Sequence, residues 1–125
     1  MSGNTFSFQD LQVWQKGIEF AQKVIQQIDS LEAPRKHFRL MEQLEAAATS
    51  IPMNIAEGKG RFSKKEFSHF LYIARGSLYE TITLLIIFQN LGWMTTGRFE
   101  EFMEDGEEIA KMLNALIKSV KGEGI

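Results

Sequence analysis

The side chains that could carry out catalysis or hold a metal ion are few and scattered. The two histidines, His37 and His69, fall in different predicted helices, and neither has a second histidine at ligand spacing. Six carboxylates lie between Glu100 and Glu108, but a di-metal bundle needs Glu-x-x-His motifs on two facing helices, which this sequence does not supply. The serines have no recognisable base or oxyanion signature beside them. We therefore expect no catalytic residue, no cofactor and no metal site.

A cluster of basic residues is the most chemically distinctive feature. Lys59, Arg61, Lys64 and Lys65 surround a glycine-containing turn between two predicted helices. The turn lacks the preceding strand and the glycine spacing of a P-loop. Two interpretations remain open: an ordinary solvated loop, or a contact for phosphate, RNA or DNA next to a helix N-terminus. The formal net charge of -2 means that any such attraction has to be local.

Arg75 falls in the middle of a predicted helix, close to its apolar stripe. An arginine in that position has to form an ion pair or extend its guanidinium to solvent. We expect a structural ion pair with Glu57 or Glu80. An alternative hypothesis makes the chain an enzyme, with its site in a pocket between protomers near Glu57, Arg75 and Tyr79.

Helical periodicity occurs four times, and no long alternation of period two indicates a strand. The first segment, for example, places apolar residues three or four positions apart, as one face of a helix requires: Leu11, Trp14, Ile18, Ala21, Ile25 and Ile28. The pattern predicts helices over about 10–29, 36–57, 64–91 and 96–121. Four amphipathic helices joined by short loops favour an all-α, antiparallel up-down-up-down bundle, formed by residues 1–125 as one domain.

Capping residues define the expected helix ends. Asp10 and Thr96 are suitable N-caps for the first and fourth helices. Ser63, with Glu66 three residues later, forms the sequence signature of a capping box. Gly58 suits a left-handed position at the end of the second helix.

The expected compartment is the cytoplasm. The chain has no cysteine, and its N-terminal residues lack the features of a signal peptide. Its longest purely apolar run, Leu84 to Phe88, is far shorter than the roughly 20 residues that a membrane span requires. We expect no membrane association.

A second set of apolar residues lies outside the predicted core stripes: Val13, Phe20 and Val24 on the first helix, and Ile73, Ile86 and Ile87 on the third. If these side chains are exposed in the monomer, they form a patch large enough to require a partner. The alternative is that some of them belong to an ordinary core with a wider stripe. Closed cyclic symmetry is the usual arrangement of identical chains.

Four stretches together resemble a known family. The segment from Ser50 to Arg61 reads SIPMNIAEGKGR and contains Pro52, Asn54, Glu57, Gly58 and Gly60. The others are FQDLQVWQK from Phe8, EFSHFLYIARGS from Glu66, which contains Arg75, and LGW from Leu91. They are similar to the motifs of a four-helix bundle family once labelled S23 ribosomal protein, encoded in intervening sequences of bacterial 23S rRNA genes and elsewhere.

The resemblance implies a four-helix bundle that assembles into a homopentameric ring and has no enzymatic activity. It also implies kinship with the accessory protein of diversity-generating retroelements, which binds a reverse transcriptase and nucleic acid through a basic surface. The leading hypothesis is thus a homo-oligomeric binding or scaffold protein. The alternatives are an accessory protein for nucleic acid or reverse transcriptase, and a protein that binds another protein partner.

One departure from the family pattern concerns nucleic acid. Members commonly carry two arginines before the Ser-Ile-Pro stretch, where this chain has Glu45 and Ala46. Phosphate affinity grows with the number of basic contacts. The departure therefore weakens the case for nucleic-acid binding.

Overall fold

The computed structural model describes residues 3–31 and 37–122, and all regular structure within these residues is helical. A 3₁₀ helix, Ser7–Asp10, precedes four α-helices. The helices are α1 (Gln12–Asp29), α2 (Phe38–Lys59), α3 (Lys64–Asn90) and α4 (Thr96–Lys121). The expected all-α, four-helix fold is confirmed. The start of the predicted second helix, residue 36, lies outside the described residues.

Each helix packs against its neighbours in the chain, and α1 also packs against α4. In the diagonal pairs, α1 with α3 and α2 with α4, no two Cα atoms of the described residues lie within 8 Å of each other, so the four helices occupy the corners of a square. Side-chain contacts run in opposite directions along neighbouring helices. Lys16 pairs with Glu108 at 3.2 Å while Lys23 pairs with Asp105 at 3.1 Å, so α1 and α4 are antiparallel. The hydrogen bond and negative charge of Glu108 raise the pKa of the Lys16 ammonium.

The core lies between the four helices and consists of aromatic and branched aliphatic side chains. Phe20 of α1 meets Phe102 of α4 edge to face, with ring centroids 6.0 Å apart. The largest fully buried side chains come from every helix: Phe20, Val24, Leu44, Ile51, Ile55, Leu71, Leu78, Leu85, Phe88, Phe102, Ile109 and Leu113. Among the described residues, no buried side-chain nitrogen or oxygen lacks a hydrogen-bond partner.

The buried face of α1 differs from the predicted stripe. Val13, Phe20 and Val24, which we expected outside the stripe, are 4%, 1% and 0% exposed. Trp14 is only partly buried. The predicted stripe and the second apolar set both have helical spacing, so periodicity alone cannot show which of them is buried. The packing of α1 against both α2 and α4 determines which side is buried. Val13, Phe20 and Val24 therefore provide no surface for self-association.

Three predicted helix ends need correction, and one is confirmed. Ser63 Oγ accepts a hydrogen bond from the Glu66 amide at 3.0 Å, so α3 begins as expected. Thr95, one residue before the expected Thr96, caps α4 by accepting from the Arg98 amide. Asp10 belongs to the 3₁₀ helix, and α1 follows Leu11 without a side-chain cap.

Gly58 does not adopt the predicted left-handed conformation, because α2 continues to Lys59. It is buried against α3 instead. A Cβ atom added to Gly58 would lie 2.7 Å from Cβ of Phe70 and 3.0 Å from Cδ1 of Phe67. Only glycine therefore allows α2 and α3 to approach this closely. Gly106 of α4 has a similar role, since an added Cβ would lie 2.7 Å from Cδ1 of Ile82.

Replacing Gly58 by alanine should destabilise the fold. The new methyl group overlaps Phe70, and such overpacking typically costs about 1–3 kcal/mol, which exceeds the gain in helix propensity of about 1 kcal/mol. Urea denaturation measures the change. Gly60→Ala is the matched control, because this residue has a right-handed conformation and an added Cβ would lie no closer than 3.6 Å to any non-neighbouring atom. Equal stability of both variants would contradict the packing argument.

Candidate functional site

The predicted basic residues lie together at one end of the bundle. Lys59 is the last residue of α2, and Lys64 and Lys65 open α3. Arg61, Lys64 and Lys65 are all exposed. We call this segment, residues 59–65, the basic turn.

Half of the charges in the basic turn already have partners. Arg61 Nη2 donates to Glu57 Oε1 at 2.6 Å, and the guanidinium also lies 4.8 Å from the centre of the Phe70 ring. Lys59 Nζ lies 5.9 Å from the centre of the Phe67 ring. Lys64 and Lys65 form no ion pair with any residue that the structure describes. These two lysines are therefore the cations most available to an external anion.

The charge of the whole molecule is distributed unevenly along the bundle. Cutting each helix at its midpoint gives a basic half, residues 3–20, 49–78 and 109–122, and an acidic half, residues 21–31, 37–48 and 79–108. The basic half holds nine Lys or Arg and four Asp or Glu, a net charge of +5. The acidic half holds three and ten respectively, a net charge of -7. The small overall charge thus conceals a strong polarity, which appears only once the helices are placed side by side.

Arg75 has different partners from those predicted. Its Nη1 donates to Asn114 Oδ1 at 2.9 Å, and its guanidinium lies 4.9 Å from the centre of the Tyr72 ring. Glu57 pairs with Arg61, while Glu80 accepts a hydrogen bond from Gln43. The expected ion pair of Arg75 is therefore wrong: α4 supplies an amide where we expected a carboxylate.

Two residues of the enzyme hypothesis line different pockets of the single chain. Glu57 lines a pocket at the basic turn, whereas Tyr79 lines a groove between α3 and α4. Arg75 lines neither of them. Among residues 3–31 and 37–122, no group of three or more His, Asp or Glu is placed to hold a metal ion.

Most of the segment from Ser50 to Arg61 has a packing role. Asn54 Nδ2 donates to both the carbonyl and the hydroxyl of Ser50, each at 2.8 Å, and that hydroxyl lies 2.8 Å from Ser77 Oγ on α3. Pro52 is buried against Gly17 of α1, with 3.5 Å between the proline Cβ and a Cβ added to the glycine. These contacts fix α2 between α1 and α3.

The outward side of α3 is unusually apolar. Five of its large side chains are between 38% and 52% exposed: Tyr72, Ile73, Tyr79, Ile86 and Ile87. We call these residues the α3 face. From residue 72 to residue 90, Arg75 and Glu80 are the only charged residues. The α3 part of the predicted second apolar set is therefore exposed, whereas the α1 part is not.

Two further observations concern the α3 face. By length and composition, α3 could cross a membrane, as the core helix of a bundle often could; however, only 33% of its most apolar window is buried.

Gly76 lies on the exposed side, and nothing lies within 4 Å of a Cβ added there. Sequence reasoning missed Gly76, because glycine has no side chain to contribute to an apolar stripe.

Comparison with known proteins agrees with this four-helix architecture. The sequence profile of the 23S rRNA-intervening sequence protein family matches residues 9–115. The chain belongs to this family. A search of curated proteins finds no match.

A solved structure extends the comparison. The crystal structure, at 1.70 Å resolution, of a protein of unknown function from the S23 ribosomal protein family of Bacteroides thetaiotaomicron VPI-5482 is similar, with a TM-score of 0.79 and 30% identity. The similarity covers 85% of this chain and 98% of that one. Neither description assigns a catalytic activity.

Replacing Asn54 by alanine tests whether this amide is structural. Loss of its two half-buried hydrogen bonds should lower the free energy of unfolding by about 1 kcal/mol. Gln43→Ala is the control, because Gln43 makes an exposed hydrogen bond of 3.4 Å to Glu80 on the same pair of helices. Chemical denaturation that finds Asn54→Ala as stable as the parent protein would show that the amide serves another purpose.

Proposed function

We propose that this chain is a non-enzymatic binding or scaffold protein that assembles from identical copies, with the α3 face as a contact between them. The observation that carries the proposal is the exposed apolar surface along an otherwise well-packed helix. An exposed apolar face of this kind, with Arg75 and Lys121 over the Tyr72 ring and few other charges, is typical of protein interfaces. The number of copies implied by the family resemblance is five, and the proposed compartment is the cytoplasm.

Gly76 supports a partner at the α3 face. A glycine inside an exposed helix destabilises it by roughly 0.5–1 kcal/mol relative to alanine. Nothing in the single chain requires a glycine there, because the space around it is open. Close approach of a neighbouring copy provides a reason, in the same way that Gly58 and Gly106 allow close packing inside the bundle.

Introducing a carboxylate into the α3 face should disrupt the assembly. Ile87→Glu places a charge in a contact that would have to exclude water, so the sedimenting mass should fall towards 14.3 kDa, the mass of one chain. Met53→Glu is the matched control, since it changes a 67% exposed apolar residue on α2. Analytical ultracentrifugation distinguishes the two variants. An unchanged mass for Ile87→Glu, or an equal loss for Met53→Glu, would remove the α3 face as the contact.

A second candidate function is the binding of nucleic acid by the basic turn, and the polarity of the bundle favours it. The net charge of -2 would repel a polyanion only if it were spread evenly. Concentrating +5 in one half and -7 in the other allows one end of the molecule to attract phosphate while the opposite end faces away. In a ring of parallel bundles, the basic halves would form one rim, and several weak contacts would act together.

Removing the two unpaired lysines should weaken this binding. The double variant Lys64→Ala and Lys65→Ala should bind single-stranded RNA less tightly, and the slope of log affinity against log salt should fall by about 1.4. Lys23→Ala with Arg39→Ala gives the same change of net charge in the acidic half and serves as the control. Filter binding at low salt provides the affinities. If both double variants lose affinity equally, the attraction does not come from the basic turn.

A further inference from the structure

Phe62 is the most exposed large apolar side chain that the structure describes, at 107% of its reference area. It stands in the middle of the basic turn. Two other phenylalanines lie nearby, and each has a cation over its ring: Lys59 lies over Phe67, and Arg61 lies over Phe70. Of these three phenylalanines, Phe62 is the one with no cation over its ring among the residues that the structure describes. An exposed phenylalanine contributes no packing to the fold, so its ring is available to an external partner.

A pocket of about 420 Å³ opens beside this ring. It lies between the end of α2 and the first turn of α3, and its walls include Phe62, Arg61, Glu57 and Glu66. The volume is within the range of small-molecule sites. The carboxylates of Glu57 and Glu66 accept hydrogen bonds. Glu57 Oε1 already accepts one from Arg61, whereas Glu57 Oε2 and the Glu66 carboxylate accept none from the residues that the structure describes, so the pocket suits a flat group that carries N–H donors.

Nucleobases with an exocyclic amino group combine these properties. Adenine and cytosine present amino donors at N6 and N4, and guanine presents one at N2. Their π-faces stack on aromatic side chains whatever the sequence, as in proteins that bind single strands. Lys64 and Lys65 follow Phe62 within three residues, are exposed, and form neither an ion pair nor a ring contact in the described part of the chain, so they can serve as partners for the adjoining phosphates.

We propose that Phe62 is the stacking platform of a single-strand site, with an unpaired amino-bearing base in the pocket of Glu57 and Glu66 and its phosphates on Lys64 and Lys65. This inference rests on the nucleic-acid function proposed above and specifies its ligand. A duplex does not fit the site, because its bases are already stacked and paired. A membrane surface fits less well, since a single apolar side chain protrudes and two carboxylates flank it.

Fluorescence anisotropy with labelled oligonucleotides of equal length tests the proposal. Oligo(A), oligo(C), oligo(U) and an RNA duplex are titrated with the full chain and with Phe62→Leu, which keeps an apolar side chain but removes the ring. We expect Phe62→Leu to weaken binding of oligo(A) and oligo(C) by about 5- to 150-fold. The affinity for the duplex should be the same in Phe62→Leu and in the parent protein. Phe62→Trp should retain binding, and oligo(U) should bind the parent protein less tightly than oligo(A) or oligo(C).

The outcomes separate this inference from the function on which it rests. If the parent protein binds none of the oligonucleotides, the nucleic-acid function fails, and the single-strand site fails with it. If Phe62→Leu binds the oligonucleotides as tightly as the parent protein does, while the double variant of Lys64 and Lys65 does not bind them, the phosphate contacts are supported and the stacking site is overturned. Two further results would also overturn the stacking site. If Phe62→Leu loses only its binding to anionic vesicles, Phe62 contacts a membrane. If Phe62→Leu has a changed solution mass, Phe62 contacts a second copy of the chain.

Discussion

The close packing of α2 against α3 at Gly58 is the constraint on which the rest of the structure depends. Because this glycine has no side chain, the end of α2 lies directly on Phe67 and Phe70. The same rings then lie beneath Lys59 and Arg61, so the geometry of the basic turn follows from the packing beneath it. The sequence around Gly58 is therefore primarily a packing motif, and the surface that it exposes is a consequence.

The fold also separates surfaces that would interfere with each other. The α3 face runs along the side of the bundle and has few charges, whereas the basic turn lies at one end. An assembly formed through the α3 face would leave that end accessible. Most of the acidic residues lie in the first half of α4 and at the opposite end of the bundle, where they would keep a polyanion from binding along the whole molecule. Self-association and nucleic-acid contact are thus compatible within one small chain.

Local signals in the sequence predicted the helices well, and tertiary choices were harder to predict. The Ser63 cap needs only residues within one turn, and it was identified correctly. The buried side of α1 depends on where α2 and α4 lie, and two stripes of equal periodicity left that choice open. The partner of Arg75 lies 39 positions away, on a helix whose register no local pattern fixes. Phe62 and Gly76 were missed for other reasons. No pattern in the sequence shows that the Phe62 ring is exposed, and Gly76 has no side chain to contribute to an apolar stripe.

The central claim is that the α3 face is covered by another copy of the chain. The solution mass, measured by light scattering on a sizing column over a wide range of protein concentrations, tests this claim most directly. The account predicts a mass several times 14.3 kDa, with five chains as the number that the family resemblance implies. A mass of 14.3 kDa at every concentration would contradict it, and would leave the exposed isoleucines and tyrosines of α3 without a partner.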